Sequence, residues 1–128
     1  MFELIIGEQV YQFNFGMGFL RDMNKKIDIP VDGLPGVREN VGLRYAIGML
    51  LANDLETLVD VLFTANKSFK PRVTPEKLDA YIEDENTDVD ALFAEVLDFL
   101  QKSNATKKTA AELVEMFEKR NQQKEQKK

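Results

Sequence analysis

Apolar and polar residues alternate between Tyr11 and Phe15. Tyr11, Phe13 and Phe15 fall on one side, Gln12 and Asn14 on the other. A period of two gives a strand one apolar and one polar face. With the run Phe2-Glu3-Leu4-Ile5-Ile6 before it, this predicts a β-hairpin over 2–15. Gly7-Glu8 between the runs suits a two-residue type II′ turn, because Gly enters φ > 0 without steric penalty. A lone hairpin is marginal in water, so its aromatic face has to pack on helices or on another chain.

After the hairpin the period changes to that of a helix. Phe19, Leu20, Met23 and Ile27 give one apolar stripe, for a helix at about 16–26. Two prolines and two glycines in Ile29-Pro30-Val31-Asp32-Gly33-Leu34-Pro35-Gly36 end it and predict a loop. So apolar a loop either packs down on the body or grips a partner. A second helix over 37–52 is apolar nearly all round, with Val37, Val41, Tyr45 and Met49 on one face, which predicts a central position. Gly42, Ala46 and Gly48 lower its propensity, and close approach to a neighbouring helix is the compensation expected.

Four more helices follow. One spans 54–65, behind an Asn53-Asp54 cap, with Leu55, Leu58, Val59, Leu62 and Phe63 inward. The next, 75–84, opens on Thr74-Pro75, with Thr as cap and Pro in the first turn. The fifth, 88–101, carries the cleanest stripe: Val89, Leu92, Phe93, Val96, Leu97 and Leu100. The sixth, 109–117, opens on the capping box Thr109-Ala110-Ala111-Glu112. From Glu118 the chain is Glu, Lys, Arg, Gln and Asn only, which predicts a charged, frayed or disordered tail over 118–128. The fold expected is mostly α (α+β): a hairpin, then a bundle of five to six helices, as a single domain over 1–117.

Composition narrows the chemistry. The 128 residues hold no cysteine, histidine or tryptophan. That removes disulfides, thiolate nucleophiles, Cys-based zinc sites and the commonest general base. The net charge of −5 is unevenly spread. Residues 102–128 carry eight Lys/Arg against four Glu, and residues 1–101 nine against eighteen acids. An acidic body disfavours nucleic acid, and the basic end has no aromatic residue for base stacking. It serves as a solvated helix end or touches an acidic partner. The N-terminus lacks a basic region followed by a long apolar one, and no apolar stretch has membrane-spanning length. A cytoplasmic protein is expected.

Three patterns invite a chemical reading. Asp84, Asn86, Asp88, Asp90 and Glu95 fall at loop positions 1, 3, 5, 7 and 12 of a calcium-binding EF-hand. Val89 stands where the sharp turn requires Gly, and Val89 and Leu92 belong equally to the fifth helix. The opposing reading is a helix linker whose acids cap and feed a helix N-terminus. Residues 76–98 hold nine acids and one Lys, either a solvated face or a receiver for a basic partner helix or a neighbour's basic tail. Gly16-Met17-Gly18 lacks the remaining glycines and lysine of a phosphate cradle and fits a tight strand-to-helix turn. Ser68 and Ser103 have no histidine to activate them. No catalytic residue, cofactor or metal ligand is assigned.

The order of the hairpin, Phe13-Asn14-Phe15-Gly16-Met17-Gly18-Phe19-Leu20 and Val41-Gly42-Leu43-Arg44-Tyr45-Ala46 resembles the tail assembly chaperones of long-tailed phages and prophages of Gram-positive bacteria. So do Leu58-Val59-Asp60-Val61-Leu62 with Thr64-Ala65-Asn66, Pro71-Arg72-Val73-Thr74, and the stretch from Tyr81-Ile82-Glu83-Asp84-Glu85 to Asp98-Phe99-Leu100. The resemblance covers most of residues 1–118. It implies a non-enzymatic siphophage protein, acting in the bacterial host's cytoplasm and absent from the mature virion. Such proteins bind and solubilise the tape measure protein until the tube, built of major tail protein, polymerises around it. The resemblance also implies that this chain corresponds to the short form of a pair made by ribosomal frameshifting. A homo-oligomer is expected, with the hairpin or the 28–36 loop in a contact. Phe13, Phe15, Met17 and Phe19, or the stripe of the fifth helix, are the expected client contacts; the same residues also fit an ordinary core. A regulatory or calcium-responsive interaction module is the alternative from another class.

Overall fold

The computed structural model describes residues 2–126. The architecture is α+β: an N-terminal hairpin, a second small hairpin and six helices. Strands β1 (Phe2–Ile6) and β2 (Gln9–Phe13) pair antiparallel, Phe2 opposite Phe13 and Leu4 opposite Tyr11. All four of these side chains are buried. Ile6 pairs with Gln9, leaving Gly7-Glu8 as the loop. Gly7 has φ +65° and Glu8 has no positive φ, the type II′ pattern expected.

Helix α1 (Met17–Asn24) buries Phe19 and Met23. The loop expected over 29–36 is instead part of a paired element. Residues 28–40 are a second hairpin, with β3 (Asp28–Pro30) paired to β4 (Arg38–Asn40). The second helix therefore begins at Gly42 and not at 37: α2 spans Gly42–Leu51. Gly33 and Gly36, at φ +78° and +80°, turn the chain back on itself. The Arg38 guanidinium donates to Asp28 Oδ1 across the strand pair. No residue from Asp28 to Asn40 is buried. Val37 and Tyr45, placed on the buried face of a longer helix by spacing, are exposed.

The buried face of α2 is instead Leu43, Ala46, Ile47 and Leu50. It packs against α1, α3 (Leu55–Ala65), α5 (Val89–Lys102) and α6 (Lys107–Gln126). Gly42 supplies the close approach expected of it, lying against the Met23 carbonyl at the end of α1. Gly48 meets nothing and has no such role. The α2 N-terminus has no cap of its own; Asn24 Oδ1 accepts the Leu43 N–H at 3.1 Å from the preceding helix.

The remaining helices start as their caps predict. Asp54 accepts the Thr57 N–H for α3, Thr74 the Lys77 N–H for α4 (Pro75–Glu83), and Asp88 the Ala91 N–H for α5. Leu58 and Leu62 are buried, but Leu55, expected inward, is exposed. Helix α6 starts two residues before the Thr109 box, with the Ala110 N–H bonded to Thr106 O. It also runs on through the segment expected to fray, as far as Gln126. Residues 118–124 are exposed, yet Lys, Arg, Gln and Glu are good helix formers and no Gly or Pro interrupts them. Lys127 and Lys128 lie outside the described residues. Among the described residues no helix is long and apolar enough to cross a membrane.

Candidate functional site

Of the four residues the sequence singled out, Phe13, Phe15 and Phe19 are 2%, 4% and 5% exposed, and Met17 is 51% exposed. The three rings belong to an aromatic cluster. Phe2 meets Phe13, Phe15 and Phe99 edge to face at 5.5, 5.7 and 5.1 Å between centroids. Phe19 meets Phe15 in the same way at 5.1 Å. Each such pair contributes about 0.5–1.5 kcal/mol beyond burial.

This cluster is not sealed. Phe2, Phe13 and Phe15 form the base of a cleft of about 370 Å³, walled by Phe69 and Phe99 with Lys102 at its rim. Backbone and side-chain bonds hold the base in place. The Asn14 N–H donates to Ala65 O at 2.9 Å, and Ser103 Oγ donates to Phe15 O at 2.6 Å. Buried Asn66 ties three segments: its Nδ2 donates to Gln12 O and Pro71 O, and its Oδ1 accepts the Val73 N–H. The cleft therefore has a rigid floor and two half-buried aromatic walls, a shape suited to an apolar side chain.

Sequence reading missed both walls. Phe99 lies seven residues after Leu92, the spacing that carries it on the α5 stripe. Phe69 sits in the aperiodic stretch after α3, where no pattern announces it. The rest of the α5 stripe is spent on the core: Leu92, Phe93, Val96 and Leu100 are buried.

A second cleft, about 420 Å³, lies between α3 and α4. Leu55, Val59 and Ile82 form its floor, and Glu56, Asp79 and Glu83 stand around it. The exposed second hairpin adds Ile29, Leu34 and Val37 to the apolar surface.

The acidic run does not assemble as a calcium loop. Asp84 Oδ1 accepts the Asn86 N–H, and Asp88 Oδ1 is occupied as the α5 cap. Residues from Val89 onward are already helical, with Leu92 buried. Among the described residues no three acids are grouped to hold a metal ion. Of Gly16-Met17-Gly18, expected as a strand-to-helix turn, only Gly16 lies before α1, as its N-cap; Met17 and Gly18 are the first two residues of the helix.

A family model described as phage tail assembly chaperone protein, TAC, matches residues 3–115. No similar curated protein and no similar solved structure was found. The matched span takes in the first hairpin apart from Phe2, the second hairpin, five whole helices and the first part of α6, and every residue lining the two clefts except Phe2. With nearly its whole length matched, this chain belongs to the phage tail assembly chaperone family.

Proposed function

We propose that this chain binds the tape measure protein and keeps it soluble during tail morphogenesis, as a homo-oligomer and without catalysing a reaction. It acts in the cytoplasm of the bacterial host and is absent from the mature virion. The major tail (tube) protein is a second partner, arriving as the client is handed over. Client contact is made at the aromatic cleft. Phe13 and Phe15 are its floor, Phe19 supports Phe15 from behind, and Met17 is the exposed member of the set two residues further on.

The observation that carries this reading is the cleft walled by Phe2, Phe13, Phe15, Phe69 and Phe99 in a member of a chaperone family. An aggregation-prone helical client presents apolar side chains, and a preformed aromatic pocket takes them up with little ordering of its own. Co-expression with the cognate tape measure protein tests it. The intact chain keeps the client in the soluble fraction. Phe69→Asp, at a half-buried wall position, leaves the chaperone folded but sends the client to the pellet. A client equally soluble with and without the chaperone would refute the reading.

A further inference from the structure

The cleft between α3 and α4 is an apolar trough edged with uncompensated negative charge. Its floor is Leu55, Val59 and Ile82, and Leu55 is 45% exposed. Glu56, Asp79 and Glu83 flank it, all three exposed. None of them takes part in an ion pair or a side-chain hydrogen bond among the described residues. No lysine or arginine lines the trough.

The complement lies on the same chain, on a different element. Helix α6 packs against α2 and α5. Its C-terminal part continues with only exposed residues from Glu118 to Lys124. Met116, Arg120 and Lys124 are four residues apart and so share one face. Met116 is 61% exposed, and neither Arg120 nor Lys124 joins an ion pair among the described residues. One methionine followed by two cations matches an apolar floor flanked by three carboxylates.

We infer that the α3–α4 trough of one copy receives the C-terminal part of α6 from a second copy. Met116 meets Leu55, Val59 and Ile82, while Arg120 and Lys124 meet Glu56, Asp79 and Glu83. Donor and receiver are different surfaces, so the contact is head to tail and repeats from copy to copy. The inference rests on the homo-oligomer reading above and assigns its interface. It also gives the −9 body and +4 end of the sequence a common purpose.

Sedimentation velocity of the full chain over rising concentration tests this, with two charge-reversed variants. One is Glu56→Lys/Asp79→Lys/Glu83→Lys; the other is Arg120→Glu/Lys124→Glu. The intact chain forms a series of larger species that shrinks as salt is raised. Each variant alone weakens association about tenfold or more. Mixing the two restores large species, because each variant's tail then fits the other's trough. The neutral set Glu56→Gln/Asp79→Asn/Glu83→Gln gives an intermediate loss and covers any folding defect of the reversed set. An intact chain that stays single at every concentration overturns both this interface and the oligomer reading. Association unchanged in both variants, or lost in each and not restored on mixing, overturns the interface alone. Reversals that spare assembly but release the client assign the trough to the client and also overturn it.

Discussion

Gly42 lies against the backbone of Met23 so closely that a Cβ on it would fall 1.7 Å from the Met23 carbonyl oxygen. Backbone cannot swing aside as a flexible side chain does. Gly42→Ala therefore forces α1 and α2 apart and lowers stability by about 3 kcal/mol, the upper end for overpacking. Gly48→Ala on the same helix meets nothing. It raises stability by about 0.5–1 kcal/mol through helix propensity alone. Urea unfolding midpoints of the two variants move in opposite directions; a shift of the same sign contradicts the packing described.

Asn66 is fully buried and serves three backbone groups. Asn66→Leu leaves the Gln12 and Pro71 carbonyls and the Val73 N–H without this partner, with a loss of about 3 kcal/mol or more. Asn66→Asp is worse above the carboxylate range, since the oxygen that replaces Nδ2 would face the Gln12 and Pro71 carbonyl oxygens with no donor, leaving a buried charge held by the Val73 N–H alone. Thermal melts at neutral pH rank intact above Leu above Asp.

Asp88 belongs to the start of α5, not to a cation. Asp88→Ala lowers stability by about 1 kcal/mol, as for other N-caps. Millimolar calcium leaves the melting temperature of the intact chain unchanged, whereas a bound ion would raise it by mass action. A calcium-dependent rise of several degrees in differential scanning fluorimetry would reverse this assignment.

The C-terminal half of α6 is helical without burial, from Glu118 to Lys124. Gln122→Pro breaks it there. The helical circular dichroism signal falls, while the midpoint of global unfolding, measured at a concentration low enough for the chain to be single, stays put, because no buried contact within the chain is lost. A midpoint lowered at that dilution would mean that this part of the helix is packed on the body of its own chain.

Local rules carried most of the backbone. Gly7-Glu8, Thr74-Pro75 and Asp88 each announce a turn or cap through the chemistry of one or two residues, and each is where that chemistry places it. The 28–40 hairpin was hidden because three-residue strands have no room for a period. Its Pro and Gly residues also read equally well as a plain loop. Leu55 shows the limit of stripes. It shares its spacing with Leu58 and Leu62, yet faces a trough, because α4 covers only part of that helix face. The Asn24 cap on Leu43 was illegible for another reason: it joins two elements that spacing treats separately. The aromatic cleft was half legible. Phe13 and Phe15 stood out by alternation, but their partners Phe2, Phe69 and Phe99 come from three distant stretches of chain.

The contact between Phe2 and Phe99 sets an order of events during synthesis. The first strand leaves the ribosome long before α5 exists, and a lone hairpin barely holds together in water. Its aromatic face is not fully covered until Phe99, nearly four-fifths of the way along the chain, has emerged. Ser103 then closes the joint by bonding Phe15. The nascent polypeptide thus presents its own sticky segment throughout most of translation, and a ribosome stalled before Phe99 holds a fragment that itself needs shielding.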